Sequence, residues 1–177
     1  MESTSAGAAS READWRGILK ERLPLYGHRN WMVIADAAYP AQSSPGIETI
    51  ATGAGQLEVV EEVLAAIAAS AHVRPVVYMD AELEFVAEAD APGADGYRAR
   101  LAGLTRHLDC RTLAHEEIIS MLDRAGATFR ILILKTTLAI PYTSVFVNLD
   151  CAYWTAQAER RLRASLAAHP ALPSNSR

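Results

Sequence analysis

The stretch "YGHRNWMVIADAAYPAQ", residues 26–42, sets His28 and Asp36 at the two ends of the apolar run Trp31-Met32-Val33-Ile34-Ala35. Imidazole can give or take a proton near neutral pH, and a carboxylate accepts hydrogen bonds from hydroxyl groups. The pair therefore has the makings of acid–base chemistry on a polar substrate. The run between them reads as a buried strand. On a straight strand, at about 3.3 Å per residue, they would stand roughly 25 Å apart. They can share a site only if the His28 loop folds back or a second chain contributes. Two further residues join the set: His115, which opens "HEEIISMLDRAG", and Tyr142, which follows Pro141. Taken singly, each also has an ordinary reading. A loop histidine is polar surface, Asp36 can form a turn, His115 can sit at a helix start, and Tyr142 can pack with its hydroxyl satisfied.

Other chemistries find less support. Metal binding by His28, Asp36 and His115 is chemically allowed, yet no two of them have a short ligand spacing such as H-x-x-x-H. Cys110 and Cys151 are the two cysteines, with no C-x-x-C, which argues against a zinc site or a disulfide framework. Nothing local marks either as an activated thiol. "TGAG" at 52–55 resembles the start of a dinucleotide fingerprint, but the pattern needs glycine where Glu58 stands. No strand is expected to lead into it, so it reads as a turn before a helix.

The elements that must position these residues follow from periodicity. Ser10 is the expected cap of a helix carrying Trp15, Ile18 and Leu19 on one side, closed by Pro24 and Gly27. After the strand at 31–35 comes the turn-rich loop "YPAQSSPG". Leu57, Val60, Leu64 and Ile67 predict a helix over 56–69. "VRPVVYM", residues 73–79, predicts a strand at an edge, or one starting near Pro75. Residues 88–96 form a loop. Tyr97, Leu101, Leu104 and Leu108 mark the buried side of a helix over about 95–107. "DCRTLA" is a short strand, and "HEEIISMLDRAG" a helix whose Glu116 and Glu117 suit its positive end. "TFRILIL" and "SVFVNL" are strands, and "AYWTAQAERRLRASLAAHP" is helical until Pro170. Alternating helices and strands predict an α/β fold, a three-layer α/β/α sandwich around a mixed sheet. Residues 1–9 read as a disordered terminus, 10–152 as the domain, and 153–177 as a helical extension and tail.

The 177 residues favour one domain with a sizeable core. Seventeen Lys and Arg against 21 Asp and Glu give a net charge of −4, without the basic excess that non-specific nucleic-acid binding requires. The charge is uneven: residues 58–95 hold nine acids and Arg74, whereas Arg98, Arg100, Arg106 and Arg111 cluster just after. Solvated surfaces account for both. The start, "MESTSAGAAS", is not a signal peptide. Lys135 and Pro141 interrupt the most apolar stretch, so no membrane span is expected and a cytoplasmic protein is the default.

Together, three stretches resemble the ribose pyranase and fucose mutarotase family. "GHRNWMVIADAAYP" looks like that family's first signature, a G-H ahead of an apolar strand that ends in D-A and then a proline. "RTLAHEEI" resembles the segment in which ribose pyranases place a histidine at a helix start. "KTTLAIPYTSVFV" resembles the closing signature, a basic residue, a short loop, P-Y-x-N and a final strand. The likeness runs from about residue 12 to 152. It implies a ribose pyranase-like sandwich in which His28 is the proton donor, and Asp36, His115, Tyr142 and Ser144 touch sugar. It also implies an isomerase that opens and recloses an aldose ring, with no cofactor and no metal. The assembly implied is a homo-oligomeric ring larger than a dimer, with sites at subunit boundaries. No nucleic acid or membrane partner is implied. Ser144 stands where the family has asparagine, and Leu138 where many members carry glutamate. His115 leans towards a ribose-like sugar, since fucose mutarotases generally carry arginine there. A sugar-binding or regulatory protein without turnover, and a purely structural oligomer, are the alternative readings.

Overall fold

The computed structural model describes residues 14–169. Trp31–Ala35 (β1) is buried at every position, which requires neighbours on both edges and cover on both faces. On one side β5 (Ile131–Lys135) runs parallel to it, and on the other β6 (Val145–Cys151) runs antiparallel. The sheet is completed by β2 (Ile47–Ala51), β3 (Val73–Asp80) and β4 (Asp109–Leu113), in the order β2-β5-β1-β6-β3-β4. The first five strands share one direction; β6 alone opposes them.

Alternation along β1 divides the core. Met32 and Ile34 face α1 (Trp15–Arg22), α2 (Gln56–Ala68) and α3 (Ala94–Thr105), packing with Trp15, Leu19, Val59, Val63, Tyr97 and Leu101. Trp31, Val33 and Ala35 face α4 (His115–Gly126) through Ile118 and Leu122. This is the three-layer α/β/α sandwich with a mixed sheet that the sequence predicts. A fifth helix, α5 (Ala156–Ala168), is capped by Thr155, whose side chain accepts from Ala158 N–H, and buries none of its residues. No helix among the described residues is long and apolar enough to cross a membrane.

Four local expectations change. The first helix is capped by Asp14, whose Oδ1 accepts from Gly17 N–H at 2.9 Å; Ser10, like the terminus at 1–9, lies outside the described residues. A strand, β2, does lead into "TGAG". Its burial is partial along its length, so its apolar signal is weak. Gly53 there has φ +64°, a left-handed turn that suits glycine. β3 is an interior strand, paired with β6 and β4, rather than an edge. Its Pro75 pairs with Leu149, while the ladder to β4 begins at Val76, so the proline sits where β3 has one neighbour. Finally, β3 runs one residue further than expected, to Asp80.

Candidate functional site

Because β1 to β5 are parallel, their carboxyl ends share one edge of the sheet, and β6 starts from that edge. Crevices outside such strand ends are where open α/β sheets bind ligands. Asp36 follows β1 and Ser144 precedes β6. The pairing of Ile34 with Val145 brings them together. Ser144 Oγ donates to Asp36 Oδ2 at 2.8 Å and accepts from Asp36 N–H at 3.1 Å. Ala38 N–H donates to Asp36 Oδ1 at 2.8 Å. The carboxylate is thus fixed from two sides while remaining partly exposed. Ser144 is 2% exposed, so in this chain its hydroxyl orients Asp36.

The backbone ahead of Ser144 is pinned by buried polar groups. Gln56 Nε2 donates to the carbonyls of Ile34 and Thr143 at 2.9 and 2.8 Å. Tyr97 OH donates to the Thr143 carbonyl at 2.6 Å. Burial pushes the Tyr97 phenol up, keeping it a neutral donor. Lys135, the basic residue of the closing signature, donates Nζ to the Tyr39 carbonyl at 2.8 Å and so holds the loop after Asp36.

On the α4 side of the same edge, β3 and β4 align Asp80 with Leu113. That register sets Asp80 beneath the start of α4. Its side chain is 0% exposed, and Oδ2 lies 3.0 Å from His115 Nδ1. Burial pushes the Asp80 carboxyl up to about 6, against the pull of His115. The Glu82 and Asp36 carboxylates add to the rise. Glu82 accepts the His115 backbone N–H with both oxygens, at 3.1 and 3.0 Å, in place of a side-chain cap from Ala114. The Tyr142 ring meets the His115 ring edge-on, with centroids 5.7 Å apart and planes at 80°. Tyr142 has φ +59°, a conformation that a bulky residue adopts only when its surroundings impose it.

His28 stands at the opposite edge. It is exposed, with Nδ1 3.1 Å from Asp150 Oδ1 at the far end of β6. Arg74 donates to the other Asp150 oxygen from Nε at 2.9 Å and Nη2 at 2.6 Å. Partial burial, the largest single cause, raises the Asp150 carboxyl, but the Arg74 hydrogen bonds, the Cys151 backbone N–H and the charges of Arg74 and His28 together hold it below its ordinary range. The neighbouring Arg29 has φ +76°. Of the five residues singled out by sequence, the structure therefore gathers Asp36, His115, Tyr142 and Ser144 along one edge and sets His28 apart. It adds Asp80 and Glu82, which sequence reasoning missed. A carboxylate closing the apolar run "VVYMD" was the available signal.

No protein-family model matches the chain, and no curated protein matches its sequence. Solved structures do resemble it. Bacillus subtilis RbsD complexed with D-ribose is 17% identical, covering 85% of this chain and 98% of that one, with a TM-score of 0.52. FucU from Bifidobacterium longum is 16% identical, covering 76% and 94%, with a TM-score of 0.52. The fucose mutarotase of Streptococcus pneumoniae in complex with L-fucose is 19% identical, covering 78% and 91%, with a TM-score of 0.49. The first two likenesses, across nearly the whole of those chains, show that this protein has the ribose pyranase-like α/β/α fold.

Proposed function

We propose that the protein is a cofactor-independent monosaccharide mutarotase or pyranase, acting on a ribose- or fucose-like aldose. The observation that carries the reading is the grouping of an oriented carboxylate, Asp36, with His115 and Tyr142 along the strand ends of a fold that in RbsD accompanies D-ribose. Carboxylate, imidazole and phenol suit the hydroxyls of a sugar. Ring opening removes a proton from the anomeric hydroxyl and delivers one to the ring oxygen as the bond between that oxygen and the anomeric carbon breaks. Rotation and reclosure return both protons, so nothing is consumed.

His28 is the proton donor in this reading. It stands at the other edge of its own sheet, so a neighbouring copy must present it to the site. That requirement is the argument for a homo-oligomeric ring larger than a dimer, in which each interface is heterologous and the rotation closes. The same separation favours the second reading, a sugar-binding protein without turnover, should the chain prove monomeric.

Saturation-transfer NMR on a panel of pentoses and 6-deoxyhexoses, with light scattering on the same samples, tests both readings. The expected result is accelerated anomer exchange for at least one sugar, from an assembly larger than a dimer. His28→Ala should slow that exchange by roughly 10²-fold or more, the scale of lost general acid–base catalysis, and leave the fold intact. Full activity in folded His28→Ala removes His28 from the mechanism. A monomer at micromolar concentration contradicts the shared site. Calorimetric binding without exchange establishes the sugar-binding reading instead.

A further inference from the structure

We propose that Asp80 is a positioning residue, holding His115 with its proton on Nδ1 and its bare Nε2 offered to the site as a proton acceptor. The carboxyl is wholly buried, and Oδ1 has no hydrogen-bond partner among the described residues. Its one polar contact is His115 Nδ1, at 3.0 Å from Oδ2. An ionised carboxylate can only accept, so that contact requires the imidazole proton on Nδ1 and leaves Nε2 a lone pair. Three further constraints fix the ring. Its backbone N–H is held by both Glu82 oxygens, its residue opens a helix, and the strained Tyr142 packs edge-on against it.

The arrangement has a chemical consequence. A proton arriving at Nε2 makes an imidazolium whose Nδ1–H already points at a carboxylate. The added proton stays on Nε2, the Asp80 carboxylate stabilises the imidazolium through the Nδ1–H hydrogen bond, and Nε2 returns the proton by the same route. Glu82 from the turn after β3 and Asp36 from the loop after β1 face Asp80, Tyr142 from the loop before β6 packs on His115, and the Tyr39 and Tyr97 phenols feel the Asp80 charge. Arg98 and Arg106 line the cavity beside Asp80 without a hydrogen bond to it; Arg98 donates instead to the Leu83 and Val86 carbonyls and to Asp95. Under the sugar reading above, on which the substrate rests, Nε2 takes the anomeric hydroxyl proton while the neighbouring copy's His28 protonates the ring oxygen. The chain would then use two histidines, one on each side of the reacting bond, with Asp80 acting through the second.

The test combines nitrogen-15 NMR of the histidine rings with exchange kinetics, both on the full chain. In wild-type protein at neutral pH, His115 should show a protonated Nδ1 and an unprotonated Nε2. Asp80→Asn can turn its amide to donate to Nδ1, and so should shift His115 towards the other tautomer. For the sugar turned over, Asp80→Asn should lower kcat by roughly 10-fold or more with KM little changed, and His115→Gln should lower it by about 10²-fold. Because Asp80 acts only through His115, the double variant should be no slower than His115→Gln alone. Penalties that multiply overturn the proposal, as does a wild-type His115 protonated on Nε2. If no aldose is accelerated, the sugar reading falls while the nitrogen spectrum still decides the pair.

Discussion

A carboxyl group that titrates near 6 inside a protein links folding to pH, and Asp80 is that group here. Its ordinary value is 3.8, and burial, the largest cause, raises it to about 6. Relative to the unfolded chain the fold therefore favours the protonated acid, while at neutral pH the group is mostly ionised. The stability it contributes is full below about pH 4 and is lost as pH rises through about 6. The rise is roughly two pH units, worth about 3 kcal/mol at its limit. Asp80→Asn keeps the shape and cannot ionise. In urea unfolding, the stability difference between Asp80→Asn and wild type should grow in the variant's favour between pH 4 and pH 7. A difference that does not change with pH would show that Asp80 ionises at its ordinary value. At this scale Asp36, His115 and Tyr142 were picked out in sequence only by the likeness of their stretches to family signatures, since each taken singly has an ordinary reading. Asp80 was not, because a strand-end aspartate looks like any turn former until the helix above it is in place.

Strands and helices with strong apolar periods were readable to within a residue or two: β1, α2 and α4 fall where the pattern puts them. β2 escaped because partial burial gives it neither a continuous apolar run nor a clean alternation. What fixes β2 instead is close packing at its entry. A Cβ on Gly46 would lie 2.4 Å from the Gly126 carbonyl oxygen and 2.7 Å from that of Phe129. Gly126, in turn, faces Ile47 Cδ1 at 3.0 Å from where its own Cβ would be. Two glycines thus let the start of β2 touch the end of α4. Neither obstructing atom is a flexible side-chain tip, so Gly46→Ala must move backbone. We expect a loss of about 1–3 kcal/mol, the usual scale of overpacking, in chemical denaturation. Wild-type stability in that variant would mean that the contact relaxes freely. Pro75 teaches the complementary lesson: sequence flags its missing donor, but only the pairing tells which stretch of an interior strand can do without it.

For the molecule as a whole, the domain is closed around two main cores and a small third cluster of Ala91, Ala94 and Ile140, and α5 contributes to none of them. Tyr153 is 76% exposed, and Leu162 and Leu166 project from a helix with no buried residue. Deleting residues 153–177 should therefore leave Tm essentially unchanged by calorimetry. Any effect should appear in assembly or solubility, read by light scattering on the same truncated protein. A clear drop in Tm would mean that α5 packs on the domain in solution. Phe85, 85% exposed in the turn after β3, is a second apolar group left outside the cores. The sandwich itself was predictable from the alternation of helices and strands, with central strands such as β1 and β5 buried on both faces. The strand order was not, because no local pattern says which strand a distant segment will join.

That order has a consequence for how the chain is made. The last strand, β6, lies in the middle of the sheet, between β1 and β3. Until it arrives, β2-β5-β1 and β3-β4 are two separate ribbons, each with an open inner edge. A nascent chain that has emerged only to residue 144 thus cannot complete its sheet, however long it waits on the ribosome. Its unpaired edges are the kind that recruit other chains. Closure waits for contacts between distant parts of the sequence, which makes folding intrinsically slow. The residues around β6 are then the last to be synthesised in the domain and the first on which its integrity depends. Premature termination there should yield material destined for aggregation or proteolysis rather than a smaller working protein.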